Sequence, residues 1–145
     1  MKNYSLVPQE NENYCICSAL QAVFRANGIN ISQREIADNL TPSKTGYIAD
    51  DDKIKDFLQS NRLEYTVYNY NQTPFNEPDM VLKDMNKHEG FIGIDSHIYL
   101  LKDFNDPELQ VIDPLNNRII TKDIYQTLKE MKRSEGFFGL VKILQ

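Results

Sequence analysis

The stretch VPQENENYCICSALQAVFRANG, residues 7–28, holds both cysteines of the chain, one residue apart, where a polar segment gives way to a helical pattern. Cysteines that staple a fold are spaced so that their Cα atoms can meet. Helical side chains at i and i+2 point apart, and a loop that small would strain a disulfide. Reduced thiols are therefore expected, in a reducing compartment. Behind them Leu20, Val23 and Phe24 share one helical face, and Gly28 is a natural C-terminal stop. Cys15 stands outside that apolar face, at the first turn. A helix N-terminus presents unpaired N–H groups and the positive end of the dipole, which favours a thiolate over a thiol. The position suits a nucleophile.

Outward from this helix, SQREIADNL (32–40) opens with Ser32 and Glu35 in capping-box spacing. TPSKTG reads as a loop, and DDKIKDFLQSN (51–61) repeats Ile54, Phe57 and Leu58 at helical spacing, with the acidic run Asp50 to Asp52 as its start. From Leu63 the pattern changes. LEYTVYNY (63–70) alternates and is rich in tyrosine and valine, so it reads as a strand in which Tyr65, Tyr68 and Tyr70 are sheet residues. MVLKDMNKH (80–88) reads as a short helix whose basic end includes a solvated His88. GFIGI, HIYLLKD and ELQVID are strand-like runs with short connections, which favour an antiparallel meander. RIITKDIYQTLKEMK (118–132) begins as a strand and continues as a helix, and GFFGLVKIL (136–144) closes as a strand. Helices first and strands afterwards predict an α+β fold, with N-terminal helices packed on an antiparallel sheet.

The 145 residues fit one domain, 1–145, with 41% hydrophobic and 26% charged residues, ordinary values for a globular chain able to bury a core. A net charge of -5 gives no electrostatic footprint for nucleic acid or an anionic membrane. Apolar runs such as FFGLV are too short to span a bilayer, and MKNYSLVPQ lacks the apolar centre of a secretory signal. A cytoplasmic protein is expected, with signal-free export as an effector the other route.

A thiolate nucleophile needs a base and a group to orient that base. His97 opens a strand in DSHIYLL, and Asp113 ends the next in VIDP, so an antiparallel pairing brings them side by side. Asp95 and Asn116 are the rival orienters. An acyl-transfer oxyanion needs fixed donors, for which the backbone N–H of Cys15 and the side-chain amide of Gln9 are placed.

With these residues in order, the chain resembles the papain-like bacteriocin-processing peptidases, which cut leader peptides after a double glycine. The resemblance rests on QENENYCICSAL, on the glycine-terminated helix, on INISQREIADNL, and on HIYLL followed by VIDP with fifteen residues between His97 and Asp113. It implies a papain-like fold and a thiol peptidase with a peptide or protein substrate and no cofactor. Residue by residue it implies Cys15 as nucleophile, His97 as base, Asp113 as orienting carboxylate and Gln9 as oxyanion donor. Two positions depart from the family pattern: Ile16 stands where glycine usually follows the nucleophile, and Cys17 replaces a small residue.

Each residue also has a plainer reading. Cys15 as a half-buried structural thiol, His97 as a satisfied strand histidine, Asp113 as a turn residue before proline and Gln9 as a polar loop residue are all ordinary. Cys17 is expected to be a small core residue. Two cysteines and two histidines so scattered match no zinc spacing, so no metal is expected. Beside hydrolysis of a peptide or isopeptide bond, the same chemistry admits acyl transfer to an amine or glutamine deamidation, and a non-catalytic peptide-binding domain of the same fold is the further alternative. Cleft walls are expected from TPSKTGYIADDD and NYNQTPFNEP.

Overall fold

The computed structural model describes residues 3–40, 51–70 and 77–144. Three helices come first, α1 (Cys15–Ala26), α2 (Gln33–Leu40) and α3 (Asp51–Ser60), followed by β1 (Leu63–Asn69) and α4 (Pro78–Lys87). The chain then runs through β2 (Glu89–Ile94), β3 (His97–Asn105), β4 (Glu108–Asp113) and β5 (Arg118–Asp123), and ends with α5 (Ile124–Ser134) and β6 (Phe137–Ile143). Among the described residues every strand pairing is antiparallel, in the order β1-β6-β2-β3-β4-β5. Strands β2 to β4 form the expected meander, and β5 continues it. The last strand inserts between β1 and β2, which no local pattern announces.

Helices cover both faces of this sheet. On one face Leu20, Val23 and Phe24 of α1, Ile36 of α2 and Leu58 of α3 pack on Leu63, Tyr65, Phe91, Leu100 and Val141. On the other, Val81, Leu82 and Met85 of α4 and Met131 of α5 pack on Ile92, Leu101, Phe138 and Leu140. Adjacent Phe91 and Ile92 belong to opposite cores because strand side chains alternate. Burial on both faces is the reason GFIGI reads as an unbroken apolar run instead of an alternating one. Full burial of a side chain such as Leu20 or Phe24 stabilises the fold by roughly 1.5–3 kcal/mol.

Helix ends follow the local chemistry. At α2, Ser32 Oγ accepts from Glu35 N at 3.1 Å, the expected cap. At α5, Asp123 accepts from the N–H groups of Tyr125 and Gln126 at 2.9 and 3.1 Å. Helix α1 differs: Tyr14 precedes it, no side chain caps it and its first turn holds no acidic residue. Gly28, just past its C-terminal end, has φ +77°, a conformation that costs glycine little.

The segment leading into α1 is held from inside. Buried Gln33 donates from Nε2 to the carbonyls of Val7 and Pro8, both at 3.1 Å, and its Oε1 accepts from Glu10 N at 2.9 Å. Ser18 Oγ also donates to Val7 O at 2.6 Å. Farther along, the Gln9 N–H donates to Pro114 O at 2.7 Å, which ties this segment to the end of β4. The two pieces of chain that carry the expected site residues are thus joined directly.

Candidate active site

Cys15 is the first residue of α1 and half-buried, at a helix start whose N-cap residue, Tyr14, makes no side-chain cap hydrogen bond. His97 opens β3 after a two-residue turn in which Asp95 and Ser96 both have positive φ, 51° and 62°. Asp113 closes β4 and is buried. Its Oδ1 lies 2.6 Å from His97 Nε2 and also accepts from Leu115 N at 2.9 Å. With Nε2 engaged by the carboxylate, Nδ1 is the ring nitrogen left for the thiol.

The environment of His97 favours its charged form. Its pKa is raised above 6.5, first by hydrogen bonding to the Cys15 side chain. Burial works in the opposite direction, and the hydrogen bond and charge of Asp113 then add to the rise. Cys17 is the contrast. Burial, and next the charge of Cys15, push its thiol up to about 12, and its side chain is fully enclosed in the core. As expected it is a small core residue, protonated at neutral pH.

Gln9 is placed differently. Its backbone is bonded to Pro114, but its side-chain Nε2 donates to the carbonyls of Asn11 and Glu12, at 3.2 and 2.9 Å. Its Oε1 is buried without a hydrogen-bond partner among the described residues. Cys15, His97 and Asp113 are brought together, whereas the amide hydrogens of Gln9 face their own loop. Of the rival orienters, Asp95 is exposed in the turn before His97, and Asn116 accepts from Arg118 N at 3.1 Å. Neither takes the place of Asp113.

A cleft of about 530 Å³ opens over Cys15 and His97. Ile16, Ile54, Ile98 and Phe137 supply apolar lining, while Glu12, Asn13, Asp95 and Ser96 supply polar groups. Phe137 is set by β2: its ring packs so closely over Gly93 that a Cβ there would collide with it. Ile16, the departure from the family pattern, is buried and belongs to the α1 core while lining this cleft. Asp51 and Asn69 also line it. Of the two loops expected to build its walls, residues 41–50 and 71–76 lie outside the described residues. Among the described residues no group of three or more metal-ligating side chains occurs, and no helix is long and apolar enough to cross a membrane.

A further feature is absent from the sequence reading. Tyr99, two residues beyond His97 on β3, places its ring perpendicular to the imidazole, with centroids 4.8 Å apart. The period-2 rule for strands puts residues 97 and 99 on one face, so this neighbour was legible.

No family model and no curated protein sequence matches the chain. Solved structures do. A double glycine motif protease from an AMS/PCAT transporter, solved in complex with the leader peptide, is 17% identical with a TM-score of 0.71, over 97% of this chain and 92% of that one. The peptidase domain of Streptococcus ComA, a bi-functional ABC transporter in a quorum-sensing pathway, is 20% identical with a TM-score of 0.71, over 99% of this chain and 100% of that one. A C39-like peptidase from Bacillus anthracis is 10% identical with a TM-score of 0.66, over 99% of this chain and 96% of that one. The fold is the papain-like fold of the C39 double-glycine peptidase domains.

Proposed function

We propose that the chain is a cysteine peptidase that hydrolyses a peptide or isopeptide bond through an acyl-enzyme. The observation that carries this reading is the 2.6 Å His97–Asp113 hydrogen bond beside Cys15 at the uncapped start of α1. Cys15 Sγ attacks the carbonyl carbon as its proton resides on His97 Nδ1. Asp113 holds the ring through Nε2–H and stabilises the imidazolium. The developing oxyanion is met by the backbone N–H of Cys15 and by Gln9 Nε2. For that, the Gln9 amide exchanges a hydrogen bond to Asn11 or Glu12 for one to the oxyanion, a small cost for a neutral hydrogen bond. His97 then returns its proton to the leaving amine, giving a thioester. Water, deprotonated by the same imidazole, releases the product.

The shared fold makes a peptide with a double-glycine leader followed by further residues the first candidate substrate, by analogy with the relative bound to a leader peptide. The test is intact-mass trapping of an acyl-enzyme from such peptides with wild-type protein and Cys15→Ala. An adduct on the wild type alone is expected, and an adduct that survives Cys15→Ala would overturn the mechanism. Gln9→Ala is expected to lower turnover by roughly a hundredfold with binding less affected. Added amine as acceptor separates transferase from hydrolase. Alkylatable Cys15 with no adduct from any peptide would favour the binding-domain alternative, to which Ile16 at the cleft points.

A further inference from the structure

We propose that Tyr99 is a positioning residue for His97: its ring, gripped from the β5 side by Lys122, holds the imidazole in the one plane that serves Cys15 and Asp113 together. The proposal rests on the thiol-peptidase reading above and adds a residue to it. Three observations carry it. The Tyr99 and His97 rings meet edge to face, 4.8 Å between centroids at 87°. Lys122 Nζ sits 5.0 Å from the centre of the Tyr99 ring. Lys122 is in turn held by Glu130 of α5 at 3.7 Å.

A histidine ring turns about a terminal torsion with broad, roughly two-fold preferences. The hydrogen bond to Asp113 fixes one atom of that ring and leaves the ring free to tilt about it. A perpendicular aromatic neighbour removes the tilt. Both ends of the imidazole then stay aligned, Nε2 on the carboxylate and Nδ1 on the sulfur. Lys122 pins the phenol ring, and Glu130 offsets the positive charge this brings toward an imidazolium.

The titratable groups facing His97 are Cys15 from α1 and Asp113 from β4. Lys122 and Glu130 lie behind Tyr99, and Glu12, Asp51 and Asp95 line the cleft. Replacing Tyr99 alters none of these charges. Burial and then the carboxylates of Asp113, Glu130 and Asp95 raise the Tyr99 hydroxyl above 10, so it stays neutral where His97 titrates.

The experiment measures the rate of Cys15 alkylation by iodoacetamide against pH, with the full chain as wild type, Tyr99→Leu, Tyr99→Phe, Lys122→Gln and His97→Ala. Thermal melts check folding. Tyr99→Leu is expected to slow alkylation near neutral pH by about three- to tenfold, the range an aromatic pair supplies, and to move the His97-dependent limb to lower pH. Tyr99→Phe, which keeps the ring, is expected to restore the wild-type profile. Lys122→Gln, on the edge strand, should slow alkylation near neutral pH as Tyr99→Leu does but less, while the loss of its charge works against the shift of the His97 limb. A Tyr99→Leu profile that superimposes on wild type overturns the proposal, as does a Tyr99→Phe profile that follows Tyr99→Leu. Should Tyr99→Leu not fold, an unchanged Lys122→Gln profile overturns it. If His97→Ala itself matches wild type, the thiol-peptidase reading falls instead.

Discussion

His88 and His97 each stand beside an aspartate, and the two pairs share a chemical formula and little else. At the end of α4, His88 Nε2 is 3.7 Å from Asp84, with 42% and 39% of the two side chains exposed. At the mouth of the cleft, His97 Nε2 is 2.6 Å from Asp113, with 26% and 12% exposed. Asp84 divides itself between His88 and Lys142, whose Nζ lies 3.1 Å away. Asp113 is fixed by Leu115 N and presents one oxygen to one ring. Solvent screens the first pair and excludes little from it. Around the second, burial strengthens the charge-assisted bond and the thiol supplies a third partner. A histidine and a carboxylate do not make a site until distance, desolvation and a third group coincide.

The largest expected effect separates the pairs by activity. His97→Ala should lower hydrolysis of whichever peptide forms the acyl-enzyme by about 10²–10⁴, the usual contribution of a positioned base, while His88→Ala should leave it unchanged. Equal losses would mean that the comparison misplaces the base.

A second, intermediate effect concerns titration. The pKa of His97 is raised in the folded chain, so its contribution to stability is complete below 6.5 and is lost as pH rises through the raised value. NMR titration of the imidazole should show its midpoint fall both in Cys15→Ala, which removes the largest single cause of the rise, and in Asp113→Asn. Asp84→Asn should leave the His97 midpoint unmoved. A larger fall in Asp113→Asn would make the carboxylate, not the thiol, the main support of the imidazolium. Urea denaturation on either side of that midpoint should find that the alkaline loss of stability shrinks in His97→Ala.

The smallest effect belongs to the surface pair. Asp84→Ala should change stability by less than about 1 kcal/mol, and added salt should shrink the difference. A change of several kcal/mol in urea denaturation would show that exposure is a poor guide to the weight of these pairs.

Much of this arrangement was legible because it is local. The pattern of Leu20, Val23 and Phe24 marks α1, Ser32 and Glu35 mark the start of α2, and the short connection around Asp95 and Ser96 marks the turn that delivers His97. The same alternation that defines β3 places Tyr99 beside His97. What was not legible is long-range. Nothing in GFFGLVKIL says that β6 runs between β1 and β2, since pairing partners depend on cores assembled from distant segments. Nor does Gln33 declare itself: a polar residue in the first turn of α2 is ordinary until Val7, Pro8 and Glu10 close around it.

The sequence by itself determined which side chains are candidates for the chemistry, because a thiol at a helix start, an imidazole at a strand start and a carboxylate at a strand end are set by residue type and local conformation. The tertiary structure decided which of them meet. It set His97 on Asp113 at 2.6 Å instead of on Asp95, enclosed Cys17 in the core and left Cys15 at the cleft. It also turned the amide of Gln9 toward Asn11 and Glu12. Those outcomes depend on how the helices pack on the sheet and how buried polar groups find partners, and both are properties of the whole chain.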